Sequence, residues 1–322
     1  MVRRRRITRA AALLVAAATV SVTASCTSGT GRDDGRAPVS PPPATSQSPR
    51  TATGPVLAVK IDNVPQARPQ TGLDAADIVY VEQVEGGLSR LMALYATRLP
   101  AEVGPVRSAR ESDLELLRQF DEPMLAFSGA QGKLLPVIDA APVHPESPDT
   151  AADAYTRSAD RASPHNLYLH PGKLLSAPPG ADALTTGFRY GPAPSGGTPV
   201  NSTTVRYPAA EYTFTWSSQR HRWLVAMDGR EAVTTDAGAV APATVVVQHV
   251  TVRPSAFHDS NGNHTPYTET VGSGTAQVLR DGKAYDAEWS RPDASGGTRF
   301  TTDDGRPLNF AEGQVWVVFA EK

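Results

Sequence analysis

Between Leu57 and Arg110 the chain sets ionisable side chains into strand-like apolar runs, and a buried strand accommodates such charges only when they are paired or put to use. LAVKID (57–62), IVYVEQV (78–84) and LSRLMALYA (88–96) are β-branched, aliphatic and aromatic in a strand-like pattern. Within and beside them stand Asp62, Arg68, Asp77, Glu82, Glu85, Arg90, Arg107 and Arg110. This density of charge makes the segment both the centre of the predicted fold and the first place to look for a site.

The rest of this half is read around those strands. Asn63-Val64-Pro65 ends the first, Pro69 to Gly72 forms a turn, and Gly86-Gly87 turns the second strand into the third. Ser112–Phe120 places Leu114, Leu117 and Phe120 on one helical face behind a Ser112 cap. Pro123–Phe127 reads as a buried strand and 132–140 as a short helix. Strands alternating with helices predict an α+β protein, with an N-terminal mixed α/β layer domain over 55–192. After GPAPSGGTP, a linker by composition, the pattern changes. Short strands punctuated by Asp228-Gly229, Asn261-Gly262, Asp281-Gly282 and Asp304-Gly305 predict a mainly β C-terminal domain over 193–322, built as a sandwich or barrel.

The first residues predict an address. MVRRRRITRA is a basic n-region and AALLVAAATVSVTA an apolar run shorter than the roughly 20 residues a spanning helix needs. Ala24 and Ser25 precede Cys26, the only cysteine in the chain. The arrangement resembles a bacterial lipoprotein signal: residues 1–25 are removed and Cys26 carries lipid, which anchors the protein at the outer face of the cytoplasmic membrane. The arginine run is compatible with either general secretory or twin-arginine export. Residues 26–54 are rich in Pro, Ser and Thr and read as a disordered tether. Removing residues 1–25 takes away five Arg and no acid, leaving 26 basic against 33 acidic side chains. A formal charge of −7 argues against general nucleic-acid binding.

Candidate chemistry centres on the arginines. Arg68, Arg90, Arg107 and Arg110 suit a carboxylate- or phosphate-bearing ligand, because the guanidinium fork binds such groups bidentately. Asp62, Asn63, Glu82, Glu85, His165 and Asn166 would shape the site. The alternative is a set of Arg–acid bridges stitching strands together, and the two combine if bridges position one or two free arginines in a cleft. An envelope hydrolase using Glu82 or Glu85 with His165 is a second class, and an interaction scaffold with a protein partner a third. On strand geometry Glu82 and Glu85 face opposite sides unless the loop after Val84 turns Glu85 back. Ser128 with His165 would make a nucleophile and base, but Ala126 stands where the G-x-S-x-G turn needs its first glycine. No metal site is expected: Asp259, Asn261 and Asn263 copy the start of a calcium loop, but His264 and Thr270 occupy the positions of its glycine and glutamate. No cofactor is expected either.

Six short motifs occur in the order seen in YerB-type bacterial lipoproteins: Val59-Lys60-Ile61-Asp62-Asn63, Arg68 to Leu73, Ala76 to Tyr80, Glu85 to Arg90, Gly104 to Arg110 and Pro164-His165-Asn166. Gly272-Ser273-Gly274, Asp281-Gly282-Lys283, Trp289 and Gly313-Gln314-Val315-Trp316 are similar to that family's C-terminal half. The resemblance runs from Leu57 to the end. It implies an N- and a C-terminal domain, both of unknown function, and a lipid-anchored address, and it supplies no reaction. Peptidoglycan or another envelope polymer is the ligand expected from that location.

Overall fold

The computed structural model describes residues 54–259 and 262–322. The proposed signal segment, Cys26 and nearly all of the tether lie outside the described residues. Numbering strands of three or more residues in chain order, the first half supplies β1 (Leu57–Asp62), β2 (Ile78–Gln83), β3 (Ser89–Tyr95), β4 (Met124–Ala126), β5 (His144–Glu146), β6 (Tyr155–Arg157) and β7 (Leu167–Leu169). The second half supplies β8 (Ser202–Tyr207), β9 (Ala210–Ser217), β10 (Arg222–Met227), β11 (Thr244–Val250), β12 (Val252–His258), β13 (His264–Thr268), β14 (Gly272–Arg280), β15 (Lys283–Arg291), β16 (Arg299–Thr301) and β17 (Val315–Glu321).

One mixed sheet of 11 strands takes in both halves, in the order β16-β15-β14-β11-β17-β2-β3-β1-β4-β5, with the short strand Thr198–Pro199 beside β15. The last strand makes the join. β17 lies parallel to β11 on one side, pairing Val246 with Val317, and parallel to β2 on the other, pairing Tyr80 with Val317. Its run VWVVF is buried throughout, as befits a central strand covered on both faces.

Alternation sorts each central strand between two cores. Leu57, Val59 and Ile61 of β1 face one core with Val79, Val81, Leu91 and Ala93. That core is closed by a second, antiparallel sheet of β8, β9 and β10, with Arg230–Glu231 at its edge. Tyr212, Phe214, Trp223 and Val225 from this sheet pack over Trp316 of β17, whose ring centroid lies 6.3 Å from Tyr212 and 6.1 Å from Phe214. Ala58, Tyr80, Met92 and Leu94 face the opposite core, with Leu114, Leu117 and the aromatic group Phe300 and Phe310.

The expected α+β class, with its α/β layer domain in the N-terminal half, is overturned. Among the described residues the α-helices are α1 (Glu111–Leu117) and α2 (Leu135–Asp139). The first coincides with the segment read as helical but stops three residues early. Seven residues at about 1.5 Å rise span roughly 10 Å, too little to cover a sheet face. The protein is mostly β, and the C-terminal half contributes both strands to the main sheet and the second sheet that covers it. Period-two alternation is the same whether a strand's partner is close in sequence or 240 residues away, so the pattern located the strands without assigning their neighbours.

Candidate functional site

The charged residues of β1, β2 and β3 gather on the face that carries α1. Arg90 of β3 is in register with Asp62 of β1 on one side and Glu82 of β2 on the other. The segment after β3 returns along the end of β1: Asp62 N–H donates to Pro105 O (2.9 Å) and Arg107 N–H to Lys60 O (2.7 Å). This brings Arg107, Ser108 and Arg110 over the ends of the three strands. Arg110 then starts α1, its backbone N–H donating to Asp113 Oδ2 at 2.6 Å.

Three separate charge clusters result. Lys60 and the carboxyls of Glu82 and Asp113 are fully buried, with Lys60 Nζ 2.5 Å from Glu82 Oε2 and 2.6 Å from Asp113 Oδ1. Burial drives the Glu82 carboxyl well above its ordinary range, beyond what Lys60 restores. Asp62, itself buried, receives His165 Nδ1 at 2.8 Å and has Arg107 Nε 3.0 Å from the same Oδ2, as an ion-pair contact without hydrogen-bond alignment. Glu85 sits in a single 3₁₀ turn and takes Arg110 bidentately, Nε to Oε1 and Nη2 to Oε2 at 2.7 Å each, while Thr265 Oγ1 donates to Oε1 at 2.5 Å. Burial alone would raise the Glu85 carboxyl, but the Arg110 and Thr265 hydrogen bonds and the Arg110 charge outweigh it and hold the carboxyl low.

Arg90 differs from its neighbours. Half-buried, it donates from Nη1 to Ser108 O at 3.1 Å and has no ion pair among the described residues. Burial, then the charges of Arg110 and Arg107, lower its guanidinium to about 10; it remains a cation at neutral pH, held close to two others. These three arginines line a cavity of about 650 Å³ together with the acids Asp62, Glu85, Glu111 and Asp259 and with Gln131, Phe257 and His258. That volume suits a small ligand or one unit of a polymer.

The structure distributes the sequence candidates unevenly. Asp62, Glu85, Arg90, Arg107 and Arg110 line the cavity, and His165 is tied to it through Asp62. The turn after Val84 carries Glu85 onto Arg110, but Glu82 is engaged elsewhere, with Lys60. Arg68 and Asn63 do not themselves line the cavity. Arg68 binds Asp228 at 2.8 Å and donates to Asn63 O at 2.6 Å, while Asn63 Nδ2 donates to Ser89 Oγ at 3.1 Å and to Tyr212 OH. Asn166 braces its own hairpin, accepting from Arg157 Nη1 at 2.8 Å and donating to Ser158 O at 3.0 Å.

Five contributors escaped the sequence reading. Lys60 carries the signal of a lysine flanked by apolar residues within a strand, Val59 and Ile61 standing on either side, which marks a buried, paired ammonium. Asp113 at the third position of a helix behind Arg110 was legible as a cap. Thr265 and the β12–β13 hairpin residues Phe257 and His258 had no local signal. They reach the cavity because that hairpin folds against the start of α1, where Ser255 Oγ donates to Glu111 Oε2.

Fold and site define a mostly β protein with a mixed central sheet and an arginine-lined, ligand-sized cavity beside its first three strands. The chain belongs to the YerB-type family: models described as the N-terminal and C-terminal domains of a protein of unknown function (DUF3048) match residues 43–184 and 203–317. It is 26% identical over 275 residues, covering 81% of this chain and 80% of the relative, to the Bacillus subtilis (strain 168) protein named "Putative lipoprotein YerB". The crystal structure of YerB from Bacillus subtilis matches with a TM-score of 0.68 at 20% identity, over 86% of this chain and 93% of that one, which shows a shared fold.

Proposed function

We propose that the protein is a lipid-anchored, extracytoplasmic lipoprotein that binds a carboxylate-bearing ligand of the cell envelope through Arg90, Arg107 and Arg110. The anchor is Cys26, supported by the signal-like segment before it and by the lipoprotein name of the Bacillus subtilis relative. The tether would hold the folded body at the outer face of the cytoplasmic membrane, within reach of peptidoglycan.

One observation carries the ligand reading. Arg90 is a half-buried cation with no ion pair among the described residues, crowded by Arg107 and Arg110 in a concave site where the charges of Asp62 and Glu85 offset that crowding only in part. A desolvated cation beside like charges is unfavourable unless an anion completes the group. Arg107 and Arg110 are oriented by Asp62 and Glu85, so the bridges set the geometry and Arg90 supplies the open valence. A hydrolase built on Glu82 or Glu85 with His165 has less support, because each of these groups is held by a different partner: Lys60, Arg110 and Asp62.

The test is binding of soluble muropeptides from purified peptidoglycan, measured by calorimetry on wild type and Arg90→Gln. Wild type should bind, Arg90→Gln should lose at least tenfold in affinity, and muropeptides with amidated carboxyls should bind neither. Equal affinity of Arg90→Gln and wild type would refute the assignment.

A further inference from the structure

The cluster of Lys60, Glu82 and Asp113 is not used by the ligand reading. An ammonium and two carboxyls lie at the base of the α1-side core, each 0–1% exposed. The same sheet face presents Ala58, Tyr80 and Met92 around them. Lys60 Nζ contacts both carboxyls, at 2.6 Å from Asp113 Oδ1 and 2.5 Å from Glu82 Oε2. Glu82 Oε1 is buried without a hydrogen-bond partner. A carboxylate oxygen left in that condition is costly, whereas a protonated carboxyl is tolerated.

We propose that Lys60 and Asp113 become joined by an intramolecular amide bond, with Glu82 as the group that relays the protons. Burial disfavours the Lys60 ammonium, but the charges and hydrogen bonds of Asp113 and Glu82 outweigh it and hold the group above its ordinary value, so the neutral amine forms transiently, when an ammonium proton passes to the Asp113 carboxylate in this water-excluded site. The neutral Lys60 Nζ then attacks Cγ of Asp113 and forms the C–N bond. Asp113 Oδ2 accepts the backbone N–H of Arg110 at 2.6 Å, so a fixed dipole faces the oxygen on which negative charge develops. Oδ1, the oxygen nearest Lys60, is the leaving atom. Glu82 donates a proton to it as the Cγ–Oδ1 bond breaks and recovers one from the attacking nitrogen. The balance is one ammonium and one carboxylate giving one amide and one water, with no change in oxidation state and no co-reactant. Burial, which holds Glu82 protonated, is consistent with this role. Water exclusion then protects the product from hydrolysis.

The bond would link β1 to α1, clamping the start of the helix that carries Arg110 onto the strand that carries Asp62. The inference stands on the buried cluster alone and does not depend on what the cavity binds.

Peptide mapping of the full chain tests it. After denaturation and trypsin, an amide-linked protein yields a branched peptide in which Thr51–Arg90, uncleaved at Lys60 and at Arg68-Pro69, is joined to Glu111–Arg118. Its mass is lower than the sum of the two peptides by one water, and fragmentation places the branch at Lys60 and Asp113. Wild type should give this peptide as the main form, and Glu82→Gln should give separate peptides, one ending at Lys60. Asp113→Asn should still branch, losing ammonia in place of water, which keeps the chemistry testable if Glu82→Gln fails to fold. Separate peptides from folded wild type would overturn the proposal. A branch formed equally well in Glu82→Gln would overturn the role of Glu82.

Discussion

Replacing Arg110 with alanine isolates the bridge that shapes one wall of the cavity. The side chain gives Glu85 two hydrogen bonds of 2.7 Å, and the paired side chains are 13% and 8% exposed. The start of α1 survives the change, because its cap uses the backbone N–H of Arg110. What remains is a buried carboxylate with Thr265 as its hydrogen-bonding neighbour. Breaking a buried pair by removing one partner costs about 3–5 kcal/mol. The open cavity lets water reach the freed group, so the lower end, about 3 kcal/mol, is expected for Arg110→Ala. At about 2–4 °C per kcal/mol for a body of this size, the midpoint should fall by roughly 6–12 °C. The pH dependence has a definite sign. The folded-state carboxyl of Glu85 lies below its ordinary value of 4.5, so its contribution is complete above that value and is lost as pH falls through the lowered one. Urea unfolding of wild type and Arg110→Ala should show a full gap at pH 7 that narrows in acid. A gap under about 1 kcal/mol at pH 7, or one that stays constant into acid, would refute the reasoning.

Further substitutions probe other parts of the same argument. Arg90→Ala should leave the unfolding midpoint unchanged or raise it, since it relieves repulsion from Arg107 and Arg110 and strands no paired carboxylate; a large drop in thermal unfolding would show that Arg90 is structural. Arg291 is fully buried and donates to the carbonyls of Glu115 and Leu116 in α1 and of Ala294 and Gly296, so Arg291→Met should cost about 3 kcal/mol in urea unfolding through unsatisfied acceptors. Trp316→Ala empties the contact between the main sheet and Tyr212 and Phe214 and should cost about 3–5 kcal/mol by the same measurement. Gly72 has φ +74° and an added Cβ would lie 2.4 Å from Glu102 O; Gly72→Ala should lower stability by at least about 1–3 kcal/mol, visible as a lower thermal midpoint.

Most strands were legible in the sequence, because period-two burial is a local property of each run. LAVKID (57–62) forms as read, and IVYVEQV (78–84) and LSRLMALYA (88–96) form within a residue of the expected bounds, as Ile78–Gln83 and Ser89–Tyr95. The lipoprotein-like N-terminal segment and the family were likewise readable from contiguous residues. The fold class was misread for a reason that lies in covering. Two helix-like segments next to strands suggested a helical layer, yet the covering layer for the Val59 face is a sheet made 150 residues later. Nothing within 55–192 states that its third layer lies elsewhere in the chain.

The same distinction governs the site. Sequence alone determined which side chains were available: a dense set of arginines and acids in strands that could not bury them unpaired. Tertiary structure decided which of them neutralise each other. Lys60 meets Asp113 across 53 positions, His165 reaches Asp62 across 103 and Thr265 reaches Glu85 across 180. Coulomb energy and hydrogen bonding depend on separation in space: the return of the chain along the end of β1 sets the separations within the first half, and the parallel insertion of β17 between β11 and β2 draws the two halves that meet at Glu85 and Thr265 into one sheet. That pairing left Arg90 with no ion pair among the described residues and set Lys60 between two carboxyls.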